Sequence, residues 1–210
     1  VWQSANAVIS ALVVLCGALV VLACVALTGV IELVPVTGQT ELILRLMRAM
    51  FPYLLFVCLA AVFIGILNAR GHYFMPALGA SMLNVVMITA VFLMAPRFGE
   101  RLETQVYGLA VGVLLAGVVQ AAFQWPTLRR EGFRYRWVNP FGDPTVAQVI
   151  RRMAPATLGV AAYQFNVVLT QTLAVNEARN IVSSFNYAVR LMELPQGVVG
   201  VSLATYLLSE

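Results

Sequence analysis

The chain of 210 residues contains no lysine, and its only histidine is His72. With one imidazole, neither a His-rich metal centre nor a His-based proton relay can be built within this stretch. There is no GxSxG, HExxH, Walker loop or paired-aspartate motif, so hydrolase and ATPase chemistry lack their residues. No enzymatic activity, cofactor or resident metal is expected. Charge of either sign is scarce: 10% of residues are charged and 61% hydrophobic, and the mean hydropathy is +0.88. A soluble domain is nearer a quarter charged, so that class is excluded. Cys16, Cys24 and Cys58 all lie in apolar runs without metal-ligand spacing and read as small packing residues.

What is present is long apolar sequence. Residues 1–31, 49–69, 71–96, 104–128 and 153–176 carry no charge. At a rise of about 1.5 Å per residue, each run can cross a hydrocarbon core of roughly 30 Å. The alternating ten-residue strands of a membrane β-barrel are missing. The fold expected is therefore all-α, a polytopic transmembrane helical bundle. Six spans are expected, at about 5–29, 48–68, 75–95, 105–126, 153–175 and 183–208. The apolar start has no basic flank or cleavage site of the kind a signal peptide carries. The chain opens at Val1 and stops inside an apolar stretch at Glu210, so an internal piece of a longer protein is expected.

Arginine sets the expected orientation. Between the fourth and fifth spans lie Arg129, Arg130, Arg134, Arg136, Arg151 and Arg152, six of the thirteen arginines. The positive-inside rule puts this loop in the cytoplasm, and alternation puts the turn around Arg70 and His72 on the same side. Residues 30–44, 96–104 and 176–182 fall on the other side and, taken together, mix acids with bases. The formal charge of +4 thus reports topology, and nucleic-acid binding is not expected. The chain divides into four spans (1–128), an arginine-rich loop (129–152) and two further spans (153–210).

The sixth span is unlike the others because it holds Arg190 and Glu193. Three residues apart, they share a helical face. Either charge costs roughly 2.5–3.5 kcal/mol at the centre of a span, so the pair should face protein or water. It is read either as a salt bridge locking helices together or as a ligand site in which Arg190 binds an anion and Glu193 orients it. A guanidinium suits phosphate because its planar fork makes paired hydrogen bonds. Pro195, Gly197 and Gly200 follow, as a hinge or as close helix packing. Pro52 and Pro155 admit the same two readings, and Gly108 and Gly112 form a GxxxG read as packing. Among polar side chains in the spans, Asn84, Gln120, Gln164, Asn166, Thr170 and Gln171 are read as cavity-lining or as interhelical hydrogen bonders. Gln164, Thr170 and Gln171 lie close to one stripe, with Asn166 off it.

The stretch "YAVRLMELPQGVVGVSLATYLL" (187–208) closely resembles the eighth helix of the MurJ/MviN family of lipid II flippases. "MAPATLGVAAYQFNVVLTQTLA" (153–174) resembles its seventh. "FPYLLFVCLAAVFIGILNARGHYFMPALGASMLNVVMI" (51–88) resembles its fourth and fifth. The resemblance implies helices three to eight of the two-lobed multidrug/oligosaccharidyl-lipid/polysaccharide exporter fold. Residues 1–128 would then be later helices of the N-terminal lobe, 129–152 the inter-lobe connection, and 153–210 the first two helices of the C-terminal lobe.

It further implies alternating access around a central cationic cavity in the bacterial inner membrane. The substrate would be lipid II, an undecaprenyl-pyrophosphate-linked disaccharide-pentapeptide, and the role would lie in peptidoglycan synthesis and cell shape. Membrane lipids and the peptidoglycan synthesis machinery are the partners implied. Arg190 matches the arginine of the family's RL-x-x-x-P motif, which faces that cavity, and Glu193 would hold its fork or meet the substrate head. The family's other cavity arginines lie on its first two helices, which the resemblance does not cover. Thr170 stands where some members place a sodium-site aspartate. Ser209 stands where a proline is common, and "VNEARNIVSS" replaces a Gly-Ser turn. Two other readings stand beside the flippase: a related polyprenyl-glycan or drug exporter, and a nontransporting scaffold held by the charged pair.

Overall fold

A computed structural model describes all residues except Val1, Val36, Ala178, Ser202 and 204–210. It is all-α; among the described residues there is no strand. The chain forms two compact units, Val1–Val149 and Ile150–Glu210.

In the first unit, α1 (Trp2–Leu33) is followed by α2 (Gln39–Met50), α3 (Tyr53–Ala69), α4 (Phe74–Thr89) and α5 (Leu102–Arg130). Pro52 sits in the turn between α2 and α3, where its missing N–H and fixed φ separate two nearly continuous helices. The segment expected as loop at 30–44 is shorter than that, since α1 runs to Leu33 and α2 begins at Gln39. Charge hid α2: Glu41 and Arg45 lie one turn apart and pair at 2.7 Å, an exposed i,i+4 bridge on an amphipathic helix. Beyond α4 the chain widens into a π-helical turn (Ala90–Met94) and tightens into a 3₁₀ turn (Ala95–Phe98). Pro96 explains the change, since it cannot donate to the preceding turn.

Helix α5 is the centre of the unit, packing against α2, α3 and α4. Its buried positions Gly108, Gly112, Ala116, Gln120, Gln124 and Leu128 recur every fourth residue. Small residues let neighbouring backbones approach, which is how membrane helices gain contact without a hydrophobic drive. A Cβ on Gly108 would lie 3.0 Å from Ala95 Cα, and one on Gly117 would lie 2.8 Å from the Tyr53 ring. Gly112 meets Ala90 in the same way. Packing therefore accounts for the GxxxG.

Helices α3 and α5 end alike. Gly71 and Gly132 take φ of +81° and +83°. The next amides, of His72 and Phe133, donate to Leu67 O at 2.9 Å and Leu128 O at 3.0 Å. Both are Schellman caps, with glycine supplying the left-handed residue. The caps bring the two helix ends together: Arg70 Nε lies 3.3 Å from Glu131 Oε2, and His72 Nε2 lies 2.8 Å from Glu131 Oε1. The turn around Arg70 and His72 and the start of the arginine-rich segment thus occupy one end of the unit.

That segment is ordered. Residues 131–138 fold back on the unit as a strap. Phe133 is 1% exposed, with its ring edge-on to Trp2 and Trp125 at 5.5 and 5.9 Å. Asn6 Nδ2 donates to Arg134 O at 3.2 Å, and Ser10 Oγ accepts from Val138 N at 3.3 Å and meets the Tyr135 hydroxyl at 3.2 Å. Helix α6 (Pro144–Glu177) then starts with Asp143 Oδ1 accepting from Thr145 N at 2.8 Å, an N-cap with proline at the first helical position.

Helix α6 and α7 (Arg179–Pro195) make up most of the second unit, followed by a π-helical turn (Gln196–Val201). Among the described residues, four segments are long and apolar enough to cross a membrane: Trp2–Leu33, Gln39–Ala69, Phe74–Phe98 and Leu102–Arg130. The fifth and sixth expected spans are helical as far as they are described, but more polar. Gln164 and Asn166 dilute α6, and Arg190 and Glu193 dilute α7. Pro155 lies inside α6 without interrupting it.

Candidate functional site

The charged pair sits in the last two turns of α7. Arg190 Nη1 lies 3.5 Å from Glu193 Oε2, an i,i+3 contact. The arginine side chain is 84% exposed and the glutamate 47%. At this distance one nitrogen meets one oxygen, so the fork is not consumed by its neighbour. Among the described residues Glu193 is the one ion-pair partner Arg190 has.

The pair belongs to a longer feature. Positions 179, 183, 186, 190 and 193 hold Arg, Ser, Asn, Arg and Glu, and spacings of four and three put them on one stripe of α7. Ile181, Val182, Leu191, Met192 and Leu194 occupy other positions. Asn180 and Ser184 are further polar positions off this stripe, so α7 is not polar on that side alone. Singling out the two charges at 190 and 193 missed this stripe, although the seven-residue periodicity was there to read.

The π-helical turn begins directly after Pro195 and contains Gly197 and Gly200. Wide turns of this kind interrupt the regular ladder and frequently accompany functional bends. Among the described residues, a Cβ on Gly197 would meet nothing within 4 Å.

On α6, Thr170 Oγ1 donates to Asn166 O at 2.9 Å and lies 3.2 Å from Asn166 Oδ1. These two residues, one turn apart, satisfy each other locally. Gln164 is exposed; the Gln171 side chain lies outside the described residues. Asn84 is exposed on α4 in the first unit. Gln120 is 8% exposed within the α5 stripe, and its neighbour Gln124, fully buried, donates to Ala60 O and Gln120 O at 3.4 and 3.3 Å. Gln120 therefore belongs to helix packing. Asn6, Ser10 and Gln124 were not evident as polar anchors, since each is embedded in a long apolar run.

The family model for the lipid II flippase MurJ matches residues 3–210. The chain belongs to the MurJ family. Among relatives, the lipid II flippase MurJ of Burkholderia cenocepacia is 35% identical over 176 residues, covering 81% of this chain and 33% of that protein. A protein of Bdellovibrio bacteriovorus named "Probable lipid II flippase MurJ" is 33% identical over 97% of this chain and 39% of its own length. One of the same name in Rhizobium meliloti is 37% identical over 77% of this chain and 30% of its own length. The chain spans about a third of the length of these relatives. Family membership and the four long apolar helices make it part of a multi-pass membrane protein.

Proposed function

We propose that this chain is part of a flippase that moves lipid II across the bacterial cytoplasmic membrane by alternating access. Arg190 binds the pyrophosphate in a central cationic cavity, and Glu193 holds the guanidinium until the headgroup arrives. The observation that carries the reading is the exposed Arg190 fork on the polar stripe of α7, a helix the reading places in the membrane, in a chain whose relatives are named lipid II flippases. A cation in this setting is costly unless it meets an anion, and pyrophosphate presents the oxygens a guanidinium pairs with. Gln164, Asn166 and Thr170 are proposed to line the cavity or its approaches. The turn after Pro195 is proposed as the bend that α7 uses when the cavity changes sides. The arginine-rich segment is proposed to face the cytoplasm and to join the two lobes.

The test replaces Arg190 with Ala, and separately with Lys, in the full-length protein, in cells depleted of their own flippase. With membrane abundance matched, externally exposed lipid II is measured. The expected result is at least a tenfold loss for Arg190→Ala, the scale of one charge-assisted contact, and partial recovery in Arg190→Lys. Undiminished flipping in both variants would assign the pair to scaffolding.

A further inference from the structure

Three cavities in the first unit share Trp125. The first, about 500 Å³, is lined by Trp125, Arg129, Phe133, Arg134 and Tyr135. A second of about 270 Å³ shares Trp125, Phe133 and Tyr135 with it and continues between α1 and α3 past Ile9, Val13 and Phe63. A third of about 400 Å³ shares Leu59, Phe63 and Trp125 with the second and runs along α5 past Val118 and Ala122. One cationic pocket thus adjoins two grooves whose linings are almost wholly apolar.

The cationic pocket has two arginines to spare. Among the described residues neither Arg129 nor Arg134 forms an ion pair. The Arg129 guanidinium sits 5.7 Å from the Trp125 ring centroid, which orients it without neutralising it. The wall carrying Arg134 is fixed, because Asn6 holds its carbonyl, Ser10 holds the Tyr135 hydroxyl and Phe133 is buried beside it. A site built in advance loses less on binding than one that must order itself. Its depth also fits, since Trp125 and the arginines close the C-terminal end of a membrane-length helix, where aromatic and basic residues meet lipid headgroups.

We infer that this cleft is a binding site for an anionic phospholipid, its phosphate between Arg129 and Arg134 and its acyl chains along the two apolar grooves. The site is separate from Arg190 and does not rest on the substrate proposed above. The occupant is a two-chain lipid, because a single cationic pocket beside two apolar grooves, all three walled in part by Trp125, matches one headgroup and two chains. A free phosphate would leave both grooves unused.

The test uses the full-length protein that carries this segment, in nanodiscs of phosphatidylcholine with a fifth of the lipid as phosphatidylglycerol. Co-purified lipid is counted by native mass spectrometry. Phosphatidylglycerol is expected to be retained over phosphatidylcholine. In the double variant Arg129→Gln/Arg134→Gln its retention should weaken roughly thirty-fold, on the scale of two surface arginines acting on an anionic headgroup. Ala122→Phe, which fills one groove and removes no charge, should weaken it as well, and millimolar inorganic phosphate should not displace the lipid. Both variants should melt within a few degrees of the parent, so that lost retention reports the site. Equal retention of the two lipids, or undiminished phosphatidylglycerol in the double variant, would overturn the inference. Displacement by phosphate with no effect of Ala122→Phe would reassign the pocket to a soluble anion and overturn the lipid.

Discussion

Glu131 joins two helix ends with one carboxylate. The hydrogen bond from His72 is the largest influence on it, and with the charges of His72 and Arg70 it holds the carboxyl below the usual carboxylate range, against a partial loss of solvent. A carboxyl that is more acidic folded than unfolded stabilises the fold when ionised. That contribution is complete above the unfolded value of 4.5 and is lost as pH falls through the lower folded value. Glu131→Gln is therefore expected to lower the melting temperature at pH 7. Its deficit should shrink as the pH drops below 4.5, which parallel melts of variant and parent in detergent would show. His72→Gln should reproduce part of the loss at pH 7. This contact was not legible in the sequence, because residues 70, 72 and 131 are brought together only by the two glycine caps. The pairing of Arg190 with Glu193, by contrast, was legible, because a helix brings i and i+3 together whatever surrounds it.

At the scale of the element, α5 shows what membrane helices ask of small residues. Gly117 faces the Tyr53 ring and the Phe56 Cβ so closely that a side chain there must displace α3. Gly117→Val is expected to cost about 1–3 kcal/mol as overpacking and to lower the melting temperature. Gly65→Ala is the matched control: it lies inside α3 with nothing within 4 Å of an added Cβ, so it should leave stability equal or slightly raised. Gly132→Ala belongs with the first kind, because φ of +83° costs a side chain about 1–2 kcal/mol. The four spans of the first unit were legible as charge-free runs, and the break at Pro52 as a proline. Helix α2 was less so, because Glu41, Arg45 and Arg48 gave an amphipathic helix the look of a loop. The turn after α4 depends on Pro96, whose effect on the preceding residues is a matter of hydrogen bonding rather than composition.

For the whole molecule, the arginine-rich segment is the feature whose sequence says least about its structure. "EGFRYRWV" alternates Phe133, Tyr135 and Trp137 with Arg134 and Arg136, a strand-like period of two, yet it forms no strand and reads from composition as an arginine-rich loop. Its order comes from Phe133 and from two polar residues of α1, Asn6 and Ser10, spaced one turn apart on the face the strap covers. Removing the Phe133 ring should cost about 3–5 kcal/mol, as other buried aromatics do, and should release the strap. Trypsin is then expected to cut after Arg134 and Arg136 much faster in Phe133→Ala than in the parent; equal rates would mean the strap is not held by its ring.

Arg190 is proposed as a phosphate ligand rather than one half of a bridge. The direct measurement is equilibrium binding of lipid II to the purified full-length protein, comparing the parent with Arg190→Ala and Glu193→Gln. If Arg190 meets the pyrophosphate, Arg190→Ala should bind at least tenfold more weakly while Glu193→Gln, which keeps the fork and releases its tether, loses less. Equal affinity in the parent and Arg190→Ala would contradict the assignment and leave the polar stripe of α7 a contact between helices.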